Sequence, residues 1–372
     1  MFRKIPWSQP DIGKEEINQV IKSFKANWVS QGPKVELFEK KMAKFCNAKY
    51  AVAVSNGTAA LDIAYKAIGI NLGDEVILPA MTYFSTSSMI SYQKAIPVFV
   101  DINPYDFNIN VDKIENAITK KTKAIAFIDY GGNPADINKI KKIARKHNLK
   151  VIQDGAQSLG GIYMKKPTGA NGDISTMSFH VAKVMTTVEG GMVFTNNKKY
   201  YKEILLRRSH GEKQNKKYIH HVLASNARMT DIQAAIGLAQ FKKLKLFLKS
   251  RSKIAKIYDF HLKDISQVQI PIVKKNCKNA YFFYPILTKH RNILVKTLKA
   301  KYGIDTRIAY ELPLYKQNLY KNKLEVYKKK FCPVTESVTQ KILNLPIYPS
   351  LTEEKIIYIV KSIKNILAKY KN

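Results

Sequence analysis

Val151-Ile152-Gln153-Asp154-Gly155-Ala156-Gln157 and, further on, Ile174-Ser175-Thr176-Met177-Ser178-Phe179-His180-Val181-Ala182-Lys183 decide the reading of this chain. The first is an apolar run that ends on a carboxylate. The second is followed, four residues after Phe179, by an amine. A glycine pair, Gly190-Gly191, then opens a third run, Met192 to Thr195. Short apolar runs bounded by polar turns read as buried strands. In open α/β sheets, ligands bind beyond the carboxyl ends of strands. One strand end here offers an acid, Asp154, and the next an amine, Lys183, 29 residues later. That pairing suits a pyridoxal phosphate (PLP) enzyme, in which the amine anchors the cofactor and the carboxylate keeps the ring nitrogen protonated. Taken singly, an Asp at a strand end is often only a helix N-cap, and most lysines of this chain are solvated.

The alternation extends outward on both sides. Upstream, strands are expected at 51–54, 76–78, 97–100 and 122–128, and helices at 35–45, 59–68, 82–93, 111–118 and 137–147. Strands alternating with helices of this length imply a mostly parallel sheet covered on both faces. Residues 12–26 predict an amphipathic helix with Ile12, Ile17, Val20, Ile21 and Phe24 on one face. Downstream, residues 229–257 are helical almost throughout and read as a linker helix into a second domain. Segment 280–287 is strand-like, and 293–302 and 353–369 read as helices.

Composition narrows the function classes. At 372 residues the chain holds one large α/β unit with an appendage, or two domains. No apolar run approaches the roughly 18 residues of a membrane span, and the basic N-terminus lacks the apolar stretch of a secretory signal. Cys46, Cys277 and Cys332 are scattered, which excludes a disulfide framework and suits a reducing cytoplasm. The seven His show no pair at metal spacing beyond the adjacent His220-His221, so no metal site is expected. The net charge of +35 raises nucleic-acid binding, but Arg supplies only eight of the 63 basic residues and the lysines are spread along the chain. A bias towards Lys on solvated helix faces is the simpler cause, and neither nucleic acid nor membrane is expected as a partner.

Other stretches carry possible chemistry. Asn56-Gly57-Thr58-Ala59 follows a strand and opens a helix, so it is either an ordinary N-cap or an anion site built from free N–H groups. Tyr83 begins a helix at another strand end, where an aromatic either packs or stacks on a flat ring. Gln157 and Ser178 are candidate donors to a cofactor's ring hydroxyl and phosphate. His180 is a core imidazole or an aid to proton transfer near Lys183.

Together with Gly73-Asp74-Glu75-Val76, Glu189-Gly190-Gly191 and Asn226-Ala227-Arg228-Met229-Thr230-Asp231, these motifs resemble the DegT/DnrJ/StrS family of PLP-dependent nucleotide-sugar aminotransferases, within the aspartate aminotransferase superfamily of fold type I. The resemblance runs from Trp28-Val29-Ser30 to Leu345-Pro346-Ile347-Tyr348-Pro349. It implies a large, mostly parallel sheet domain flanked by helices, residues 12–245, which carries Lys183. A smaller C-terminal α+β domain, residues 246–372, would be joined by the N-terminal segment 1–11. It further implies a homodimer with shared active sites. Lys183 would be the Schiff-base lysine and general base, with Asp154 on the pyridinium nitrogen and Gln157 on the ring hydroxyl. Tyr83 would stack on the ring. Gly57, Thr58, Ala59 and Ser178 would hold the phosphate, helped by the partner's Asn226. Trp28, Val29, Ser30, Arg228, Tyr310 and Tyr315 match regions that line the nucleotide-sugar site.

Three positions depart from the family pattern: Gly155, where Ala is common, Asp129, where many relatives have His, and Ala309-Tyr310-Glu311 in place of His-Tyr. The implied activity is transamination of a nucleotide-linked keto-sugar, in its simplest form a 4-keto-6-deoxy sugar, with glutamate as donor. Two alternatives stay open. One is an aminotransferase for a cyclic keto-alcohol, the other a basic nucleic-acid-binding or regulatory protein on a PLP-enzyme scaffold.

Overall fold

The computed structural model describes residues 4–213, 216–321 and 331–370. Of the expected spans 1–11 and 246–372, residues 1–3, 322–330 and 371–372 lie outside the described residues. In chain order the elements begin with α1 (Lys14–Lys25), α2 (Pro33–Cys46), β1 (Tyr50–Val54), α3 (Gly57–Ala67), β2 (Glu75–Pro79), α4 (Phe84–Tyr92) and β3 (Ile96–Val100). They continue with β4 (Thr122–Ile128), α5 (Ile137–Lys146), β5 (Lys150–Asp154), the short β6 (Ile162–Tyr163) and β7 (Lys166–Pro167), β8 (Ile174–Ser178) and β9 (Gly191–Thr195). Then come α6 (Lys198–Arg208), a hairpin of β10 (Glu212–Lys213) and β11 (Lys216–His220), and the long α7 (Asp231–Leu262). The C-terminal part holds β12 (Cys277–Lys278), β13 (Tyr284–Leu287), α8 (Arg291–Tyr302), α9 (Asn318–Lys321), α10 (Pro333–Lys341), β14 (Ile342–Leu345) and α11 (Glu353–Leu367).

Seven strands form the main sheet in the order β1-β9-β8-β5-β4-β2-β3. β9 alone runs antiparallel to its neighbours β1 and β8, and the remaining pairings are parallel. The reversal follows from connectivity: the segment after β8 carries Lys183 and returns into β9 without a crossover helix. Alternate residues of the inner strands feed different cores. Val76, Leu78, Ala124 and Ile152 face one, and Ile77, Ile125, Phe127 and Val151 the other. Burial on both faces makes these strands read as unbroken apolar runs. The carboxyl ends of β1, β2, β5 and β8 then bring Ser55, Ala80, Asp154 and Ser178 to one edge.

A separate core joins Ile5, the later half of α7 (Ile254, Tyr258, Leu262), β13, β14, α8 and α11. Ile5 bridges Ile304 in parallel, so the N-terminal segment is stitched to the C-terminal part. Two expected elements differ. Residues 111–118 close as two 3₁₀ turns rather than an α-helix, with Asn110 capping the first. The 280–287 strand is confined to β13, because Tyr281 takes a positive φ of 53° that no strand tolerates.

The amphipathic helix α1 forms, but inverted. Glu16 and Ser23 are buried, whereas Ile17, Ile21 and Phe24 are 56%, 44% and 58% exposed. A polar seam causes this. Glu16 Oε2 accepts from Gly13 N at 2.8 Å and Glu16 Oε1 from Gln240 Nε2 at 2.9 Å, with Lys243 alongside on α7. Lys34 Nζ donates to Ser23 Oγ at 2.7 Å and to Gln19 O at 2.8 Å.

Candidate active site

Lys183 stands on the turn between β8 and β9. The base of that turn is closed by Phe179, whose N–H donates to Gly190 O at 2.8 Å and whose carbonyl accepts from Thr187 N at 2.9 Å. The Lys183 N–H donates to His180 O at 2.9 Å, and its ammonium lies 4.4 Å from the ring centroid of Phe282. Burial pushes the amine's pKa down to about 8, against the opposing pull of Asp154. An amine so tuned exchanges a proton near neutrality.

Asp154 closes β5 and is buried, with Oδ2 accepting from Thr86 Oγ1 at 2.7 Å and Oδ1 from Ala156 N at 3.1 Å. Thr86 sits in the first turn of α4, and its own carbonyl accepts from Tyr65 OH at 2.8 Å. Thr86 is a site residue that pattern reading missed. The only signal was the hydroxyl-rich opening of that helix, Ser85-Thr86-Ser87-Ser88.

The N-terminus of α3 meets the end of β8. A Cβ on Gly57 would lie 2.9 Å from Ser178 Cβ, so only glycine allows this approach. Asn56 caps the helix by accepting from Ala59 N at 2.8 Å, which occupies the Ala59 amide. The N–H groups of Gly57 and Thr58 take no partner among the described residues. Thr58 Oγ1 shares a hydrogen bond of 2.7 Å with Ser85 Oγ. Two free amides beside Ser178 at a helix start form an anion cup.

Gln157 is buried and held at both ends of its amide: Gly131 N donates to Oε1 at 2.7 Å, and one Nε2 N–H donates to Tyr310 OH at 2.9 Å, which among the described residues leaves the second N–H available. Tyr310 is thereby drawn into the site, its hydroxyl pKa pushed up by burial and by the nearby Tyr130, Asp154 and Tyr83. Tyr83 caps α4 with 61% of its surface exposed. Trp28 and Val29 are also exposed, and the loop is pinned by Trp28 Nε1 donating to Gln31 O at 3.2 Å and by Ser30 O accepting from Asp231 N at 2.7 Å. Asn226 and Arg228 flank Ala227, whose carbonyl accepts from Ser55 N at 2.8 Å, so both lie along the end of β1 beside the anion cup.

Two expected residues are placed differently. Tyr315 is 1% exposed in the core beside Phe99, and its hydroxyl donates to Glu336 at 2.6 Å, so it is not brought to the site surface. His180 is exposed and both ring nitrogens face other groups. Nδ1 accepts from Ala182 N at 3.3 Å, and Nε2 lies 3.7 Å from Glu189. A cavity of about 620 Å³ lined by Gln269, Lys289, His290 and Lys341 includes none of the expected site residues.

A partly desolvated lysine and a buried carboxylate at strand ends, with a helix-borne anion cup between them and one reversed strand in the sheet, characterise the fold type I PLP transferases as a class. Within that class, the chain belongs to the DegT/DnrJ/EryC1/StrS aminotransferase family, which it matches over residues 10–364. It is 39% identical over 366 residues to GDP-perosamine synthase from Escherichia coli O157:H7, covering 97% of this chain and 98% of that protein. It is 33% identical over 335 residues to UDP-2-acetamido-2-deoxy-3-oxo-D-glucuronate aminotransferase from Pseudomonas aeruginosa, covering 90% and 91%. Among solved structures, NtdA from Bacillus subtilis with bound cofactor PMP superposes with a TM-score of 0.90 at 29% identity, covering 99% of this chain and 86% of that one.

Proposed function

We propose that this aminotransferase converts a nucleotide-linked keto-sugar, in its simplest form a 4-keto-6-deoxy sugar, to the amino sugar with glutamate as donor. Overall, glutamate and the keto-sugar exchange an amino group for a carbonyl oxygen, giving 2-oxoglutarate and the amino sugar. The observation that carries the reading is Lys183, an amine poised near pKa about 8 within the field of Asp154. Membership of a sugar-aminotransferase family supplies the substrate class.

The donor set fits PLP: two unfilled amides and Ser178 suit a phosphate, and Asp154 suits a ring N–H⁺. Bound PLP would supply an exocyclic carbon that carries the nitrogen from donor to acceptor and a ring that withdraws electrons from it. Lys183 would anchor the cofactor and, once released, serve as the base that moves the proton of the transfer. Asp154, steadied by the Thr86 hydroxyl, would hold the ring-nitrogen proton. The Gly57 and Thr58 amides and Ser178 would hold the phosphate, Gln157 with Tyr310 would border the ring, and Tyr83 would cover it. We assign His180 a positioning role, capping the turn that presents Lys183. Trp28, Val29, Ser30, Arg228 and Tyr310 border the space for the sugar.

The separate core that joins Ile5 to the later half of α7, β13, β14, α8 and α11 supports dividing the chain into a large unit, 12–245, and a small one, 246–372, with segment 1–11 joined to the latter. The outward apolar face of α1, continued by Trp28 and Val29, supports a homodimer in which the partner's Asn226 completes the phosphate site.

The decisive experiment records the visible spectrum of the PLP-loaded protein before and after glutamate, for wild type and Lys183→Ala. Product analysis then follows on a panel of nucleotide keto-sugars and cyclic keto-alcohols. The expected result is a glutamate-sensitive cofactor band lost in the variant, and amino sugar with stoichiometric 2-oxoglutarate. Turnover of cyclic keto-alcohols alone would refute the sugar assignment, and absence of any cofactor band would refute the reading at its centre.

A further inference from the structure

Directly behind Asp154 lies a second buried carboxylate. Asp129 follows β4, whose last residue Ile128 pairs with Asp154 in the sheet, and it is wholly inaccessible to solvent. Its Oδ1 accepts from Ala135 N at 2.9 Å. Its Oδ2 accepts from Gln153 Nε2 at 2.6 Å and, in a short contact, from Ser158 Oγ. All three donors are neutral. A buried carboxylate held only by neutral donors is costly relative to an uncharged side chain, so packing alone is a poor reason for it.

The placement of the donors is the instructive feature. Gln153 immediately precedes Asp154, and Ser158 immediately follows Gln157. One carboxylate thus clamps both ends of the turn that presents the two groups facing the cofactor ring. The same loop adds a third hold, since Gly131 N donates to Gln157 Oε1 at 2.7 Å. Gln153 cannot flip its amide to accommodate a different partner, because its Oε1 already accepts from Asn171 N at 2.8 Å and Ser175 Oγ at 3.3 Å. Burial raises the Asp129 pKa, its three donors oppose that, and the Asp154 charge raises it further. Among the described residues, Asp154 from β5 acts on the Asp129 charge, and that charge in turn helps to raise the pKa of the Cys277 thiol on β12.

We infer that Asp129 is a positioning residue of the active site: its carboxylate locks the 153–158 turn and places negative charge behind Asp154, strengthening that residue's hold on a protonated ring nitrogen. The inference rests on the reading that Asp154 faces the cofactor ring.

The test loads wild type, Asp129→Asn and Ser158→Ala with PLP. It measures the cofactor dissociation constant, the pH midpoint of the cofactor's visible band, the kinetic constants for glutamate and the melting temperature of the apoprotein. Asparagine keeps the shape but turns an N–H group towards a donor and removes the charge. Losing a charge-assisted bond corresponds to cofactor binding weaker by about tenfold or more. Loss of a nearby negative charge disfavours the protonated cofactor, so the midpoint falls by about half a unit or more. The expected result is both changes in Asp129→Asn, a smaller loss of affinity in Ser158→Ala, and lower kcat with unchanged KM for glutamate. An Asp129→Asn protein that folds and keeps the wild-type midpoint and affinity overturns the inference. Should that variant not fold, Ser158→Ala decides, with unchanged cofactor affinity overturning it. A wild type without a cofactor band overturns the underlying reading as well, which separates the two failures.

Discussion

The floor and the rim of the site are built on opposite principles. On the floor, Asp154, Thr86, Ser85 and Gln157 are buried and each is held by named donors or acceptors within one chain. The exceptions are the Gly57 and Thr58 amides and the Lys183 amine, the groups proposed to engage the cofactor. At the rim, Trp28, Val29 and Tyr83 expose 51%, 40% and 61% of their surface, and α1 extends the apolar strip outward. A floor whose polar groups are satisfied is preorganised before any ligand arrives. An apolar rim open to water is a surface still to be covered.

The contrast breaks first at Lys183. Lys183→Ala removes the proposed anchoring amine and proton carrier together, and turnover is expected to fall by about a thousandfold or more, measured as 2-oxoglutarate formation. A rim substitution with the same effect would mean that the floor is not the catalytic part. Asp154→Asn keeps the shape and the Thr86 contact but not the charge, and a loss of about a hundredfold in kcat is expected.

The same amine predicts a pH-dependent stability. Its folded pKa, about 8, lies below the ordinary lysine value of 10.5. The unfolded chain therefore binds the extra proton between these values, and apoprotein stability attributable to Lys183 rises as pH climbs from about 8 towards 10.5. The burial cost is fully present below pH 8 and amounts to at most about 3 kcal/mol. Denaturant midpoints of the apoprotein against pH, compared with Lys183→Met, isolate this contribution from the general neutralisation of lysines. A variant with the same pH slope as wild type would show the amine to be solvated.

The rim is tested at α1. Ile17→Ser with Phe24→Ser removes two exposed apolar side chains and is expected to weaken self-association at least about tenfold by sedimentation equilibrium, with the monomer's melting temperature unchanged. An unaltered dimer would place the interface elsewhere, and a destabilised monomer would show that this face is packed after all. The smallest effect is expected at Thr86→Val, where loss of one hydrogen bond to a carboxylate corresponds to about 1.5–3 kcal/mol at most. Because the bond steadies Asp154 before and during the reaction alike, only part of that reaches the rate, read as a several-fold drop in kcat with unchanged sheet stability.

Much of the floor was legible in the sequence because its signals are local. Apolar runs ending on Asp154 and Ser178, a glycine at position 57 and a lysine four residues past Phe179 each constrain the chain within a few residues. The doubly wound sheet was legible for the same reason, since strands buried on both faces show no alternation to confuse the pattern. Where the reading slipped, long-range partners had decided. Thr86 reaches Asp154 across 68 positions of sequence, and Tyr315 is drawn inward by Glu336, 21 residues on. The Ala59 amide looked available until Asn56 proved to occupy it.

Helix α1 marks the boundary most sharply. Its periodicity determined that a helix with an apolar stripe would form, because a 3.6-residue repeat places Ile17, Ile21 and Phe24 together whatever surrounds them. Which side docks was settled only in three dimensions. Glu16 finds Gln240 and Lys243 on α7, and Ser23 finds Lys34 on α2. Sequence alone determined most strands and flanking helices of the main sheet, their order and the residue types at the strand ends, since these follow from local pattern. The tertiary structure decided which faces turn inward, because only there do buried polar groups meet the partners that offset their desolvation.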